Sequence, residues 1–309
     1  MATQKKKLTG DALRTYEDDS NLGFKKRWKE KAREDAVRGA KKAVDGPLVA
    51  VAEGDSWFDY KPSYLSLGRD LLGHLRSFDR VDIHRESKAG DTLENMVYGT
   101  AYHSRTFKPK RAQHEKTLDA IDKFQPDLFL FSGGGNDVAG TELEAFLNHA
   151  DSGQPTLRQP YVDEMFGEIM PKTFQTMIDM VKSRKADIQI FLHGYDYAVP
   201  DGRGVGVKLI RWTFVGPWLR PALTKKRVAS KAARRAIIVD MINRLNNVLA
   251  ELAATNANVH HIDVRGTLRT DQKYKKDWAN ELHPTSDGFK LVARKFQEKI
   301  DEAFSLSPP

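Results

Sequence analysis

The stretch PLVAVAEGDSWFDY, residues 47–60, decides the fold. Leu48 to Ala52 form a short apolar run with β-branched members, the pattern of a buried strand. Gly54, Asp55 and Ser56 then make a turn. A solvated turn has little use for Trp57, Phe58 and Tyr60, which follow at once. Either the turn packs against a neighbour, or Ser56 stands at the mouth of a pocket.

Outward from this stretch, strand and helix patterns alternate. Further strands read at 81–85, 128–131, 188–192 and 259–264. Helical patterns read at 24–44, 65–78, 92–102, 112–124 and 172–182, in a long helix ending near 254, and in a closing helix over 286–304. Such alternation implies an α/β fold: a mostly parallel sheet between two layers of helices, a three-layer α/β/α sandwich. Residues 1–45 read as a polar arm and a charged helix, and 46–309 as the α/β domain. Insertions near 139–165 and 196–222 leave the same sheet edge, placed to form a cap.

Composition narrows the function. The chain has 309 residues, 40% hydrophobic and 30% charged, enough to bury a large core beneath solvated helices. No apolar run approaches the roughly 20 residues of a membrane span, and MATQKKKLTG has no apolar core behind its basic cluster. A cytoplasmic protein is the expectation. Without cysteine there is no disulfide, thiolate nucleophile or cysteine-based zinc site. His260 and His261 fall on opposite faces of a strand, which argues against a shared metal, and no cofactor is expected. The net charge of +8 is concentrated: ten Lys and Arg but no acid lie between Gly202 and Val239, among Trp212, Phe214 and Trp218. That stretch reads either as a solvated helix face with a core-packing segment, or as a surface for an anionic partner. The partner would be a lipid headgroup or membrane, a phosphorylated substrate, or, less favoured, nucleic acid.

In open parallel sheets, ligands sit beyond the carboxyl ends of the strands. There stand Gly54-Asp55-Ser56, Lys88-Ala89-Gly90-Asp91, Gly133-Gly134-Gly135-Asn136-Asp137 and His193-Gly194-Tyr195-Asp196; Asn280-Glu281-Leu282-His283-Pro284 follows the last strand. Several chemistries drop out. A G-x-G-x-x-G started at Gly133 ends on Val138, no phosphate-binding G-x-x-x-x-G-K is present, and His114-Glu115 does not continue to a zinc-protease motif. The G-x-S-x-G elbow fails because Phe58 stands at its second glycine.

In order along the chain, these blocks resemble the SGNH/GDSL hydrolase family. Gly54-Asp55-Ser56 matches its nucleophile block, Gly90 its second block, Gly134-Gly135-Asn136-Asp137 its G-x-N-D block, and His283-Pro284 the end of its D-x-x-H block. The resemblance implies a flavodoxin-like α/β fold and a serine hydrolase cleaving an acyl ester. It makes Ser56 the nucleophile and His283 the base, with the Ser56 and Gly90 amides and the Asn136 side chain forming the oxyanion hole. The family also holds lipases, thioesterases and carbohydrate deacetylases, so a carbohydrate O-deacetylase is the alternative enzyme. A catalytically weak module binding a membrane or nucleic acid is the alternative from another class.

The residue chemistry fits. A serine hydroxyl needs a base to take its proton, and imidazole titrates near neutrality. The tetrahedral oxyanion needs fixed donors. One position departs from the family: Asn280 stands where its acid belongs, three residues before His283. Asparagine can orient a ring but brings no charge to an imidazolium. Asn280 is therefore the expected third member, with Glu281 or Asp277 as substitute acids. Trp57 and Phe58 are expected to wall the substrate pocket.

Overall fold

The computed structural model describes residues 46–60, 68–207 and 212–305, and the side chains outside 206–215. Contacts divide the chain into two compact units, Met1–Pro47 and Leu48–Pro309, and the architecture below is that of the second. The arm over 1–22, the helix over 24–44, residues 65–67, and Lys208 and Arg211 lie outside the described residues. Of the helix expected over 65–78, residues 68–70 are not helical, and the helix starts at Leu71, capped by Asp70.

Five parallel strands form the sheet, in the order β2-β1-β3-β4-β7. They are β1 (Leu48–Gly54), β2 (Val81–Arg85), β3 (Leu128–Ser132), β4 (Gln189–His193) and β7 (Val259–Ile262); β5 (Val205–Val207) and β6 (Trp212–Val215) form a separate antiparallel hairpin. Every residue of β3 is buried, as are the last five of β1, which is why these strands read as apolar runs rather than alternating ones. Helices cover both faces. Leu71–Arg76 (α1) packs with the closing helix Ser286–Ala303 (α8) on one side. Leu93–Tyr98 (α2), Gln113–Phe124 (α3), Met170–Arg184 (α5) and Lys231–Thr255 (α7) pack together on the other. The α/β class, its parallel sheet and its two helix layers agree with the sequence pattern. Among the described residues no helix is long and apolar enough to cross a membrane.

Two regions differ from the pattern. The loop-rich reading of 139–165 gives way to short 3₁₀ turns at Glu142–Phe146 and Ala150–Ser152, then to a helix that starts at Gln159 (α4, Gln159–Glu164). That helix runs through a π turn at Met165–Ile169 into α5. Pro171, just beyond the π turn, has no N–H for the helical ladder, so the segment read as starting only after it. The hairpin β5–β6 was hidden in the basic-aromatic stretch because its strands, of three and four residues, are too short to establish a period.

The strand order sets the site. From β1 the chain crosses to β2 on one side and then returns to β3 on the other, so the carboxyl ends of β1 and β3 flank a topological switch point. Register places Gly54 opposite Ser132, which brings the turn after each strand side by side.

Candidate active site

The turn after β1 is held by its own aspartate. The Asp55 carboxylate accepts the Trp57 N–H at 3.0 Å, and the Asp55 carbonyl accepts the N–H groups of Phe58 and Asp59 at 3.1 and 3.0 Å. Ser56 sits half-buried at the tip, its hydroxyl 2.7 Å from Nε2 of His283. No acceptor among the described residues meets the Ser56 N–H.

His283 is presented by a tight loop before α8. An isolated bridge joins Trp278 to Pro284, and the Ala279 N–H donates to the His283 carbonyl at 2.9 Å. Within this loop Asn280 Oδ1 accepts the Leu282 N–H at 3.0 Å and the His283 N–H at 2.9 Å. Those two donors fix the orientation of the amide, whose Nδ2 donates to the Tyr60 hydroxyl at 3.2 Å. The same Oδ1 lies 2.9 Å from Nδ1 of His283. An oxygen already accepting backbone protons can only accept again, so Nδ1 carries the imidazole proton and Nε2 faces Ser56 bare. Burial pushes the imidazole down to about 3, so the ring is neutral, with Nε2 unprotonated, across the physiological range. Tyr60 stacks on the ring at 4.6 Å and 25°, and Trp218 meets it edge-on at 5.3 Å. A stacked aromatic face favours the imidazolium that forms when His283 takes a proton.

The residues expected to serve an oxyanion, Gly90 and Asn136, lie on two loops joined by hydrogen bonds. Gly90 is exposed at φ +81°, a backbone conformation that few other residues adopt, and its N–H has no acceptor among the described residues. Asn136 donates from Nδ2 to the Asp91 carbonyl at 2.8 Å, leaving its second amide proton for a ligand. Asp137, in the same block, accepts the Leu93 N–H at 2.8 Å and so ties the β3 loop to the start of α2 just after Gly90.

Four sequence expectations fare differently. Glu281 is fully buried, and its carboxylate accepts backbone N–H groups from Gly202, Trp218, Leu219 and Arg220; none of its recorded contacts is with His283. Asp277 binds Arg269 through both the backbone N–H and the guanidinium, at 2.7 and 2.8 Å. Both carboxylates are occupied by other donors, which argues against their serving as the acid. Phe58 is fully buried between His193 and Phe296 and does not line the cleft; its large ring fills the core under the turn instead. Trp57 is also core, donating from Nε1 to the Leu282 carbonyl at 2.9 Å, but one edge reaches the cleft. Ser56 and Asn136 open on a cleft whose other walls come mainly from residues the sequence reading missed: Val138, Ala139, Leu219 and three side chains of α7.

The two insertions are joined to each other. The Gly140 N–H donates to the Trp218 carbonyl at 3.1 Å and the Ala150 N–H to the Lys226 carbonyl at 3.0 Å. Lys225 pairs with Glu144 at 2.6 Å, and Arg227 with Asp151. Arg203 pairs with Asp201 and donates to the carbonyls of Trp278 and Ala279, while Arg234 and Arg235 donate to the carbonyls of Val228 and Thr270. Much of the basic stretch is thus engaged within the fold, with acids from outside it that the local sequence does not show.

Beneath Ser56 lies a second polar cluster. His193 Nε2 is 2.7 Å from Ser132 Oγ, and its Nδ1 faces the Gly194 carbonyl, so Nδ1 carries the proton. Ser132 Oγ also lies 3.2 Å from Asp55, which accepts from the Tyr195 hydroxyl. That hydroxyl in turn accepts the Gly135 N–H at 3.3 Å, and a Cβ at Gly135 would fall 2.6 Å from the Tyr195 ring. One serine proton cannot serve both His193 and Asp55 at once; burial raises Asp55 to about 6, so below that pH its carboxyl carries a proton of its own. Through its hydroxyl, Tyr195 links the Ser56 turn to the Gly135–Asn136 loop.

A sequence profile described as the GDSL-like lipase/acylhydrolase family matches residues 52–291. No curated protein matches the chain. Solved structures that resemble it include a family 3 carbohydrate esterase of Clostridium thermocellum, at 12% identity and TM-score 0.46 over 85% of this chain and 100% of that one. An extracellular lipase from Streptomyces rimosus is 16% identical, with TM-score 0.48 over 82% of this chain and 99% of that one. A family 3 carbohydrate esterase of Talaromyces cellulolyticus is 12% identical, with TM-score 0.40 over 84% and 100%.

Proposed function

The chain belongs to the GDSL-like lipase/acylhydrolase family, hydrolases acting on ester bonds, and from that premise we propose that it cleaves an acyl ester through Ser56 and His283. The observation that carries the reading is the chain of contacts from Ser56 Oγ to His283 Nε2 and from Nδ1 to Asn280 Oδ1, at 2.7 and 2.9 Å. Nε2 takes the hydroxyl proton as Ser56 attacks the acyl carbon, and the Ser56 N–H, the Gly90 N–H and the Asn136 amide hold the oxyanion. His283 then gives the proton to the leaving alcohol, and water repeats the sequence in reverse to free the acid. Asn280 fixes the tautomer without a charge. Tyr60, stacked on the ring, supplies part of what a carboxylate would. Lys225 and Arg227 pair with Glu144 and Asp151 of the other insertion, so these two cations serve the cap.

Hydrolysis of p-nitrophenyl esters tests the reading. The wild type turns over, Ser56→Ala and His283→Ala lose the activity, and both variants keep the melting temperature within a few degrees. Activity retained in Ser56→Ala contradicts it.

A further inference from the structure

The cleft that Ser56 and Asn136 share is small and apolar. Its cavity measures about 50 Å³. An apolar cavity of roughly 150 Å³ holds a benzene, six carbons, so a third of that holds two or three heavy atoms. The two carboxylates in the lining are spent elsewhere: Asp55 on Tyr195 and the Trp57 N–H, Asp196 on the N–H groups of Tyr197, Gly266 and Leu268. Nothing charged is left in the cavity to receive a polar acyl chain.

One wall is a single helix face. Ile238, Met241 and Ile242 stand at i, i+3 and i+4 of α7, buried to 4%, 2% and 7% exposure, and all three line the cavity. The helix is anchored at its start by Ser230, whose hydroxyl accepts the Ala233 N–H at 2.9 Å. Across the cavity, Leu219 belongs to the cap, and its N–H is held by the buried Glu281 carboxylate at 2.8 Å. Both walls are tied down, so a longer chain cannot simply push them apart. Met241 is the longest and most flexible of the three side chains, and the one whose truncation opens most space.

We propose that this cavity is an acyl pocket limited to groups of two or three carbons, and that Met241, with Ile238, sets the limit. The inference rests on the ester-hydrolase reading above. It assigns specificity to α7, a helix that carries none of the family's motif residues, and it excludes long-chain lipids as substrates.

The test is kcat/KM across p-nitrophenyl acetate, propionate, butyrate, hexanoate and octanoate. Active sites are counted in each preparation by stoichiometric reaction with a fluorophosphonate. The wild type should prefer acetate or propionate over hexanoate by about tenfold or more, the scale on which a closed pocket discriminates chain length. Met241→Ala should raise the hexanoate-to-acetate ratio about tenfold, with Ile238→Ala shifting it in the same direction as a second variant. If Ser56 titrates fully and the wild type takes octanoate as well as acetate, the acyl limit is wrong while the hydrolase reading stands. Ratios unmoved in both variants remove the role of α7. If Ser56 does not titrate, the hydrolase reading falls and the inference with it.

Discussion

Two serine–histidine pairs stand within this fold at the same separation, Ser56 with His283 and Ser132 with His193, each with Oγ and Nε2 2.7 Å apart. In both, burial pushes the imidazole down to about 3, and in both a carbonyl oxygen holds Nδ1. What separates them is surroundings. Ser56 borders a cleft that Asn136 also lines. Ser132 and His193 are wholly buried, away from the cleft lining, and Ser132 is shared with Asp55. A short serine–histidine contact is therefore not a nucleophile until a carbonyl can reach it and an oxyanion can be held there. The buried pair stiffens the floor of the exposed one.

The largest expected difference lies between the two serines. Ser56→Ala should lower kcat/KM for a short ester by three orders of magnitude or more, as loss of a hydrolase nucleophile does. Ser132→Ala should leave kcat within a few-fold but cost about 1–3 kcal/mol of stability in urea unfolding, the usual cost of unpairing a buried polar group. Equal losses of activity would erase the distinction. Next comes Asn136→Ala, which should lower kcat by roughly 10²–10³ with little change in KM; a change confined to KM would make Asn136 a binding residue only.

A smaller effect concerns the link between the pairs. Tyr195→Phe removes the hydroxyl that joins Asp55 to the Gly135 N–H but leaves the ring that packs on Gly135. A kcat about tenfold lower, with KM held, marks Tyr195 as a residue that positions the nucleophile turn against the oxyanion loop. Unchanged kcat would mean the two loops are registered without it. Asn280→Asp should act in the opposite sense. A carboxylate beside the protonated Nδ1 raises the His283 pKa above about 3, so the base becomes protonated, and activity lost, at a higher pH than in the wild type. Several-fold higher kcat and an acid limb moved upward in the pH–rate profile are the expected readouts. An unmoved profile would sever Asn280 from the ring.

The smallest effect is in stability. Asp55 is raised from 3.8 to about 6 by burial, so between those values the folded chain keeps a proton that the unfolded chain has released. The Asp55 contribution to stability then falls as pH rises through that window, while His193 and His283, held near 3 by burial, contribute in the opposite sense up to the ordinary imidazole range. Asp137, raised to about 6, and Glu53, raised to about 8, act in the same direction as Asp55, and the Glu53 contribution declines on toward pH 8. The melting temperature of the wild type minus that of Asp55→Asn, followed from pH 4 to 8, isolates the Asp55 contribution and should fall between pH 4 and 6.

The same contrast explains what could be read before the fold was known. The central strands β1 and β3 were legible because both faces are buried, so each holds an unbroken apolar run such as Leu128 to Phe131. The serine turn, the β3 loop and the histidine loop were legible because each is a short contiguous motif beyond the sheet or in the final loop. What escaped notice is built across distance. Tyr60 lies 220 residues from Asn280, whose amide it receives, and Glu281 finds its four amides on the cap. The pocket wall was invisible because Ile238, Met241 and Ile242 carry an ordinary helix periodicity. The carboxylate partners of Lys225 and Arg227 were not legible locally because Glu144 and Asp151 come from the other insertion. Phe58 misled because adjacency to Ser56 in sequence says nothing of which side of the turn a ring takes.

Covalent labelling with a fluorophosphonate, followed by mass spectrometry of the intact chain and its peptides, tests the central claim most directly. One equivalent bound at Ser56, none at Ser132, and no label in His283→Ala on the same timescale is the result expected of a single exposed, base-activated serine. A chain that stays unlabelled, or carries the label at Ser132, would contradict it.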